Sequence, residues 1–227
     1  MWIGSRSQSV SSSSETARRE SCRLAGISAF TCGLLSTSDG NVSRATDHCM
    51  PPPNGTFSER LRTETSSLHL RVDTAFSAFD LSTRSGYGGF LRAHARALPA
   101  VEAIAAGISV AATCSRSDLV VADLQELGIA VPPSAPFDGP KSPVAARGIH
   151  YVLEGSRLGG AVLQRRVPVA YPRRLLSARH ERGGWRSVLA DLDGWGESQD
   201  EPTIASAIAA ATACFALFER SALAEAG

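Results

Sequence analysis

Lysine is almost missing from these 227 residues: Lys141 is the only one, and arginine carries nearly all the positive charge. The skew reads as genomic base composition rather than design. Charge of one sign is missing too, with 23 basic against 22 acidic residues and a formal net charge of +1. A dedicated nucleic-acid binder usually shows a basic excess, so nucleic acid is not an expected partner. No apolar run approaches the ~20 residues that span a bilayer. The best, Ile204 to Leu217, is Ala-rich and broken by Ser and Thr. Five cysteines make an odd set without a C-x-x-C pair, which indicates neither a disulfide framework nor a zinc ribbon. Gly86-Tyr87-Gly88-Gly89 is not followed by the Lys-Ser/Thr of a phosphate-binding loop. No G-x-S-x-G elbow occurs, and Glu154-Gly155-Ser156 falls inside a predicted helix, where an elbow cannot form. What remains is a soluble protein of a reducing compartment, expected to be cytoplasmic, with 43% hydrophobic residues, enough for one domain and a tail.

The tail is expected over residues 1–55. Ser-rich sequence from Ser7 to Ser14, ending in Pro51-Pro52-Pro53-Asn54-Gly55, has too little apolar surface to offset its ordering entropy and reads as a disordered extension. Its one apolar stretch, Leu24 to Leu35, would start unusually far in for a signal peptide. From Thr56 the texture is helical. Leu61, Thr65, Leu68, Val72, Ala75 and Phe76 share a stripe at three- and four-residue spacing, and Tyr87, Phe90, Leu91, His94, Leu98 and Val101 share another. Ser117 is placed to cap a short helix that Gly128 would end. A loop with five prolines follows from Pro132 to Pro143. Further helices are expected over Val144–Val167, Arg179–Leu192 and Pro202–Ala224, the last with its proline in the first turn. Strand alternation is missing throughout. The fold class is an all-α single bundle of six or seven helices over residues 56–227.

Three features of that bundle look chemical. His69 stands beside Leu68 and Val72 on the core stripe, where a histidine is either a satisfied core residue or a metal ligand. Asp73 lies one turn along the same face, where its carboxylate can accept from Nδ1–H, the usual support behind a ligating imidazole. In the second feature, Gly155, Gly159 and Gly160 interrupt the Val144–Val167 helix at about 1 kcal/mol each relative to alanine. Gly155 and Gly159, four apart, strip one face to bare backbone, for a tightly packed helix or for a flat ligand. The third is arginine near helix ends: Arg60, Arg62, Arg182 and Arg186, mostly solvated on this reading, yet able to clamp carboxylates. Cys22, Cys32, His48 and Cys49 match no metal spacing.

Together these residues resemble the haem oxygenase family, in its bacterial, biliverdin-producing branch. Leu61-Arg-Thr-Glu-Thr-Ser-Ser-Leu-His69 is similar to the family's proximal helix, with Asp73 where the family keeps a carboxylate. Gly155–Gly160 is similar to its distal helix, and Phe215-Ala-Leu-Phe218-Glu219 to its last. The likeness covers about Thr56 to Ala224. It implies haem as both substrate and prosthetic group, sandwiched between the two helices. His69 would be the iron ligand, with His94 and His150 as the alternatives; Asp73 would stand behind it, and Arg62 and Arg186 would be near the propionates. Gly155, Ser156 and Gly159 would form the catalytic face. Ser156 stands where well-studied members carry an aspartate that organises water around oxygen. The implied reaction is oxygen-dependent opening of haem to biliverdin, carbon monoxide and ferrous iron. Implied partners are molecular oxygen, an external electron donor (a ferredoxin or flavoprotein reductase) and a biliverdin-using phytochrome. The rival readings are a haem-sensing protein of the same fold with little turnover, and a cofactor-free helical interaction protein.

A chain beginning at Thr56 is expected to keep the helicity and melting temperature of the full chain. Circular dichroism on the two checks this, and a large loss in the shorter one would show that the tail packs on the bundle.

Overall fold

Thr56 opens the bundle with a reciprocal cap. Its hydroxyl accepts from the Glu59 amide, and the Glu59 carboxylate accepts from the Thr56 amide at 3.0 Å. In the computed structural model, residues 55–106, 115–180 and 184–227 are described, so residues 1–54 and Arg182 lie outside the described set. The helices are α1 (Phe57–Ser77), α2 (Arg84–Ala105), α3 (Arg116–Glu126), α4 (Pro143–Leu163), α5 (Arg174–Ser177), α6 (Gly184–Gly196) and α7 (Glu201–Ala226), with a 3₁₀ turn at Gln164–Arg166 after α4. Among the described residues there is no strand.

The two expected stripes are where the core lies. Leu61, Thr65, Ala75 and Phe76 of α1 are buried, with Leu68 and Val72 packed against them. On α2, Tyr87, Phe90, Leu91, Leu98 and Val101 are buried, and the helix runs on through Pro99. Pro143 and Pro202 sit in the first turns of α4 and α7, and Gly128 takes a positive φ of 63° after α3. Three details depart from expectation. The helix expected over Arg179–Leu192 runs over Gly184–Gly196, with residues 179–180 outside any helix. Ser115, not Ser117, stands at the N-cap of α3, and its side chain makes no cap bond. Glu102 of α2 does that work from a neighbouring helix, accepting from the amides of Arg116 (2.9 Å) and Ser117 (3.0 Å). The short helix α5 falls in a stretch the pattern had left unassigned. It starts where the buried Asp123 carboxylate accepts from the amides of Arg174 and Leu175. Such non-local carboxylates leave no local sequence signature.

α7 is the axis, and α1, α2 and α4 all pack on it. By length and composition α7 could cross a membrane, more so than its Ile204–Leu217 stretch suggested, but half of its most apolar window is buried inside the bundle. It is built as a core helix. Its inner face is small: Ala207, Ala210, Ala211 and Cys214 are buried. That lets α4 approach backbone to backbone, and a Cβ built on Gly148 would come within 1.9 Å of the Ala207 carbonyl oxygen. Ion pairs tie the outer edges, from Arg60 to Glu201 (2.6 Å), Arg71 to Glu219 (2.7 Å) and Arg92 to Glu225 (2.6 Å). α3 packs on α2, α5 bridges α3 and α4, and α6 lies against α4 and α1.

Gly148→Ala is therefore expected to force α4 off α7. A loss of at least about 1–3 kcal/mol, the usual cost of overpacking, should appear as a lowered melting temperature.

Candidate functional site

Helical geometry puts Gly148, Gly155 and Gly159 on one stripe of α4, since seven and eleven residues each fall within about 20° of whole turns. α7 touches that stripe at Gly148, and Gly155 is buried. At Gly159 a β-carbon would meet nothing within 4 Å. The stripe thus leaves helix contact along its length, about 16 Å from Gly148 to Gly159. The neighbouring Gly160 has a different reason to be glycine, because its β-carbon would stand 2.9 Å from the Leu176 carbonyl oxygen of α5. Helix packing accounts for Gly148 and Gly160. It does not account for Gly159, where alanine would fit and favour the helix.

His69 lies on α1, half-buried. Its Nδ1 is 3.1 Å from Asp73 Oδ2, the pairing the i, i+4 spacing predicted, and its ring meets Phe215 of α7 edge-on at 5.7 Å. Ring and tautomer are fixed from both sides. His94 is held otherwise: its Nδ1 is 2.9 Å from the Phe90 carbonyl oxygen, and Phe76, Phe90 and Phe218 surround the ring. Burial pushes its pKa down to about 3, so it is neutral at any working pH. Burial also lowers the pKa of His150.

Ser156 follows Gly155 and is the end of a polar pair that sequence reasoning missed. Its hydroxyl donates to the Leu153 carbonyl at 2.7 Å and accepts from Arg116 Nη1 at 2.7 Å. Arg116 is buried at 5% exposure and also donates to the Leu153 carbonyl, at 3.1 Å. Burial, with the like charge of Arg157 behind it, lowers its pKa to about 10, so it remains a cation at neutral pH. Its Nε is buried with no partner among the described residues. A buried donor left unpaired costs about 1–3 kcal/mol. Arg116, Ser156, His94, Phe90, Gly160 and Leu163 line a cavity of about 30 Å³, room for a single water. Next to this cavity, which Arg157 also lines, Glu154 holds Arg157 Nε at 2.9 Å and His180 Nδ1 at 3.1 Å. His180 Nε2 is a second buried atom without a partner among the described residues. Neither Arg116 nor His180 lies near the glycine helix in sequence, so only the fold could reveal them.

The arginines divide. Arg60 is committed to Glu201 and Glu64. Arg62 is exposed on α1. Burial pushes the Tyr151 phenol up to about 12 while the Arg62 charge pulls it down, so Arg62 lies within electrostatic reach of α4. Arg186 is exposed on α6, next to Trp185, whose ring lies 5.5 Å from that of Tyr151.

The helical fold that carries these residues has a counterpart among solved structures. The chain is similar to the haem oxygenase of Neisseria meningitidis, solved with NO and CO bound. The two are 25% identical with a TM-score of 0.61, over 76% of this chain and 92% of that one. The fold is that of a haem oxygenase. No family model matches the chain, and no curated protein matches it by sequence.

Gly159→Ala should raise the melting temperature of the ligand-free chain, by up to about 1 kcal/mol of stability, because alanine favours the helix and meets no neighbour. Thermal melts beside Gly148→Ala check this. Destabilisation at Gly159 would show that something already packs there.

Proposed function

We propose that this chain binds haem between α1 and α4 and is a biliverdin-producing haem oxygenase. The observation that carries the reading is the empty face at Gly159 on a helix whose Gly148 and Gly160 are filled by neighbours. The haem oxygenase fold supports it, and the residues fit the group. His69 is the iron ligand through Nε2, with Asp73 fixing its tautomer. Gly155 and Gly159 let the distal backbone lie close to the haem face. Arg62 and Arg186, both exposed, would meet the propionates. Haem, when bound, supplies the redox chemistry that activates oxygen against its own ring.

The protein's part is positioning and proton supply. Ser156 gives its one proton to the Leu153 carbonyl and accepts from Arg116, which leaves a second lone pair to accept from a water beside the bare face. Arg116 brings a charge to the pair, of opposite sign to a carboxylate, and its unpaired Nε gives that water, or the ligand it serves, a further donor. The cavity beside them accommodates the next water inward. This pair replaces the single carboxylate of well-studied members and favours turnover over a haem-sensing role. Electrons come from an external donor, a ferredoxin or flavoprotein reductase. The products are biliverdin, carbon monoxide and ferrous iron, with a biliverdin-using phytochrome as the downstream partner.

Titration with haemin tests the reading: a Soret band should appear at one haem per chain, then decay with ascorbate or a reductase as biliverdin absorbance grows. His69→Ala should lose the bound-haem Soret shift and regain it with added imidazole. An unchanged ferric spectrum in that variant would move the ligand to another histidine.

A further inference from the structure

Glu154 does two things at once. One carboxylate oxygen accepts from Arg157 Nε at 2.9 Å, and the other is 3.1 Å from His180 Nδ1. Burial works to raise its pKa, but the Arg157 charge and the hydrogen bonds from Arg157 and His180 outweigh it and leave the pKa below its ordinary value. It is therefore ionised at neutral pH and accepts only. A neutral imidazole has one proton, and facing an acceptor it must place that proton on Nδ1. Nε2 is then a lone pair, and it is the nitrogen buried without a partner among the described residues. The Trp185 ring, 6.2 Å from that of His180 and 5.5 Å from Tyr151, packs against the same corner. Glu154 acts electrostatically on Arg116, so the two polar pairs form one cluster around α4.

We propose that Glu154, gripped by Arg157, is a positioning residue that keeps His180 in the Nδ1–H tautomer, so that Nε2 offers an acceptor to a water or other proton-bearing ligand beside the glycine face. Its purpose rests on the haem reading; the tautomer does not.

Glutamine at 154 sharpens the test. An amide has one oxygen and one NH₂, and Arg157, which only donates, claims the oxygen. The NH₂ then faces His180 Nδ1 and demands a lone pair there, which moves the imidazole proton to Nε2. Long-range ¹H–¹⁵N correlation spectra of the ligand-free full chain, at about pH 8 and above the ordinary imidazole range, read this directly, with His180→Gln assigning the ring. The wild type should show a protonated Nδ1 and a bare Nε2, and Glu154→Gln the reverse. Adding Arg157→Met frees the amide to turn and should restore the first pattern. A wild-type ring protonated on Nε2, or a Glu154→Gln ring that keeps its proton on Nδ1, overturns the proposal. The wild-type spectrum decides even if a variant fails to fold.

In the haem complex, a donor at Nε2 stabilises hydroxide over water. The pH midpoint of the ferric absorption change should therefore fall in Glu154→Gln by about one unit, tenfold in the equilibrium. A flipped tautomer with an unmoved midpoint overturns the placement of Nε2 beside the ligand. Absence of any Soret band would instead remove the haem reading and leave the tautomer result intact.

Discussion

Backbone contact between α4 and α7 at Gly148 and Ala207 sets the rest of the structure. Two helices usually stand 8–10 Å apart because side chains hold them there. Here glycine on one and alanine on the other remove the spacer at one end. The stripe that touches at Gly148 is bare again at Gly159, where nothing reaches it. Close approach at one end and open space at the other come from a single line of small residues on a single helix. α5, lodged against Gly160, closes the adjacent face, so the opening has a direction.

How much of this was legible depended on the range over which each feature is encoded. Both core stripes, the proline first turns and the His69–Asp73 pair follow from three- and four-residue periodicity, and the chain carries them openly. The distal glycines were visible as an anomaly, but their two explanations could not be separated from sequence. They apply to different members of the set, packing at Gly160 and open space at Gly159, while Gly148, the tightest contact, was not singled out. The α3 cap and the start of α5 were not legible. Glu102 and Asp123 supply them across the fold, and nothing near Arg116 or Arg174 in sequence announces a distant carboxylate. Arg116 and His180 were hidden for the same reason.

Serine for aspartate beside the first distal glycine looked from sequence like a loss of charge. In three dimensions the charge is relocated and reversed in sign. A buried guanidinium donates through the serine hydroxyl, and a neutral hydroxyl and a fixed cation share a task one carboxylate could perform. The exchange has an electrostatic consequence. On the haem reading proposed above, a cation at this place would favour anionic ligands beside the glycine face, where a carboxylate would oppose them.

The cap that Glu102 provides reaches into how the protein is assembled. An eleven-residue helix is marginal alone, and α3 has no side-chain cap of its own to nucleate it. It becomes competent when α2 has already formed and delivers its carboxylate. The Arg116 guanidinium is thus aimed at α4 only after distant parts of the chain have met, in the same cooperative step that closes the core. Its backbone amide, held by Glu102, is expected to exchange with solvent more slowly than an uncapped helix-terminal amide.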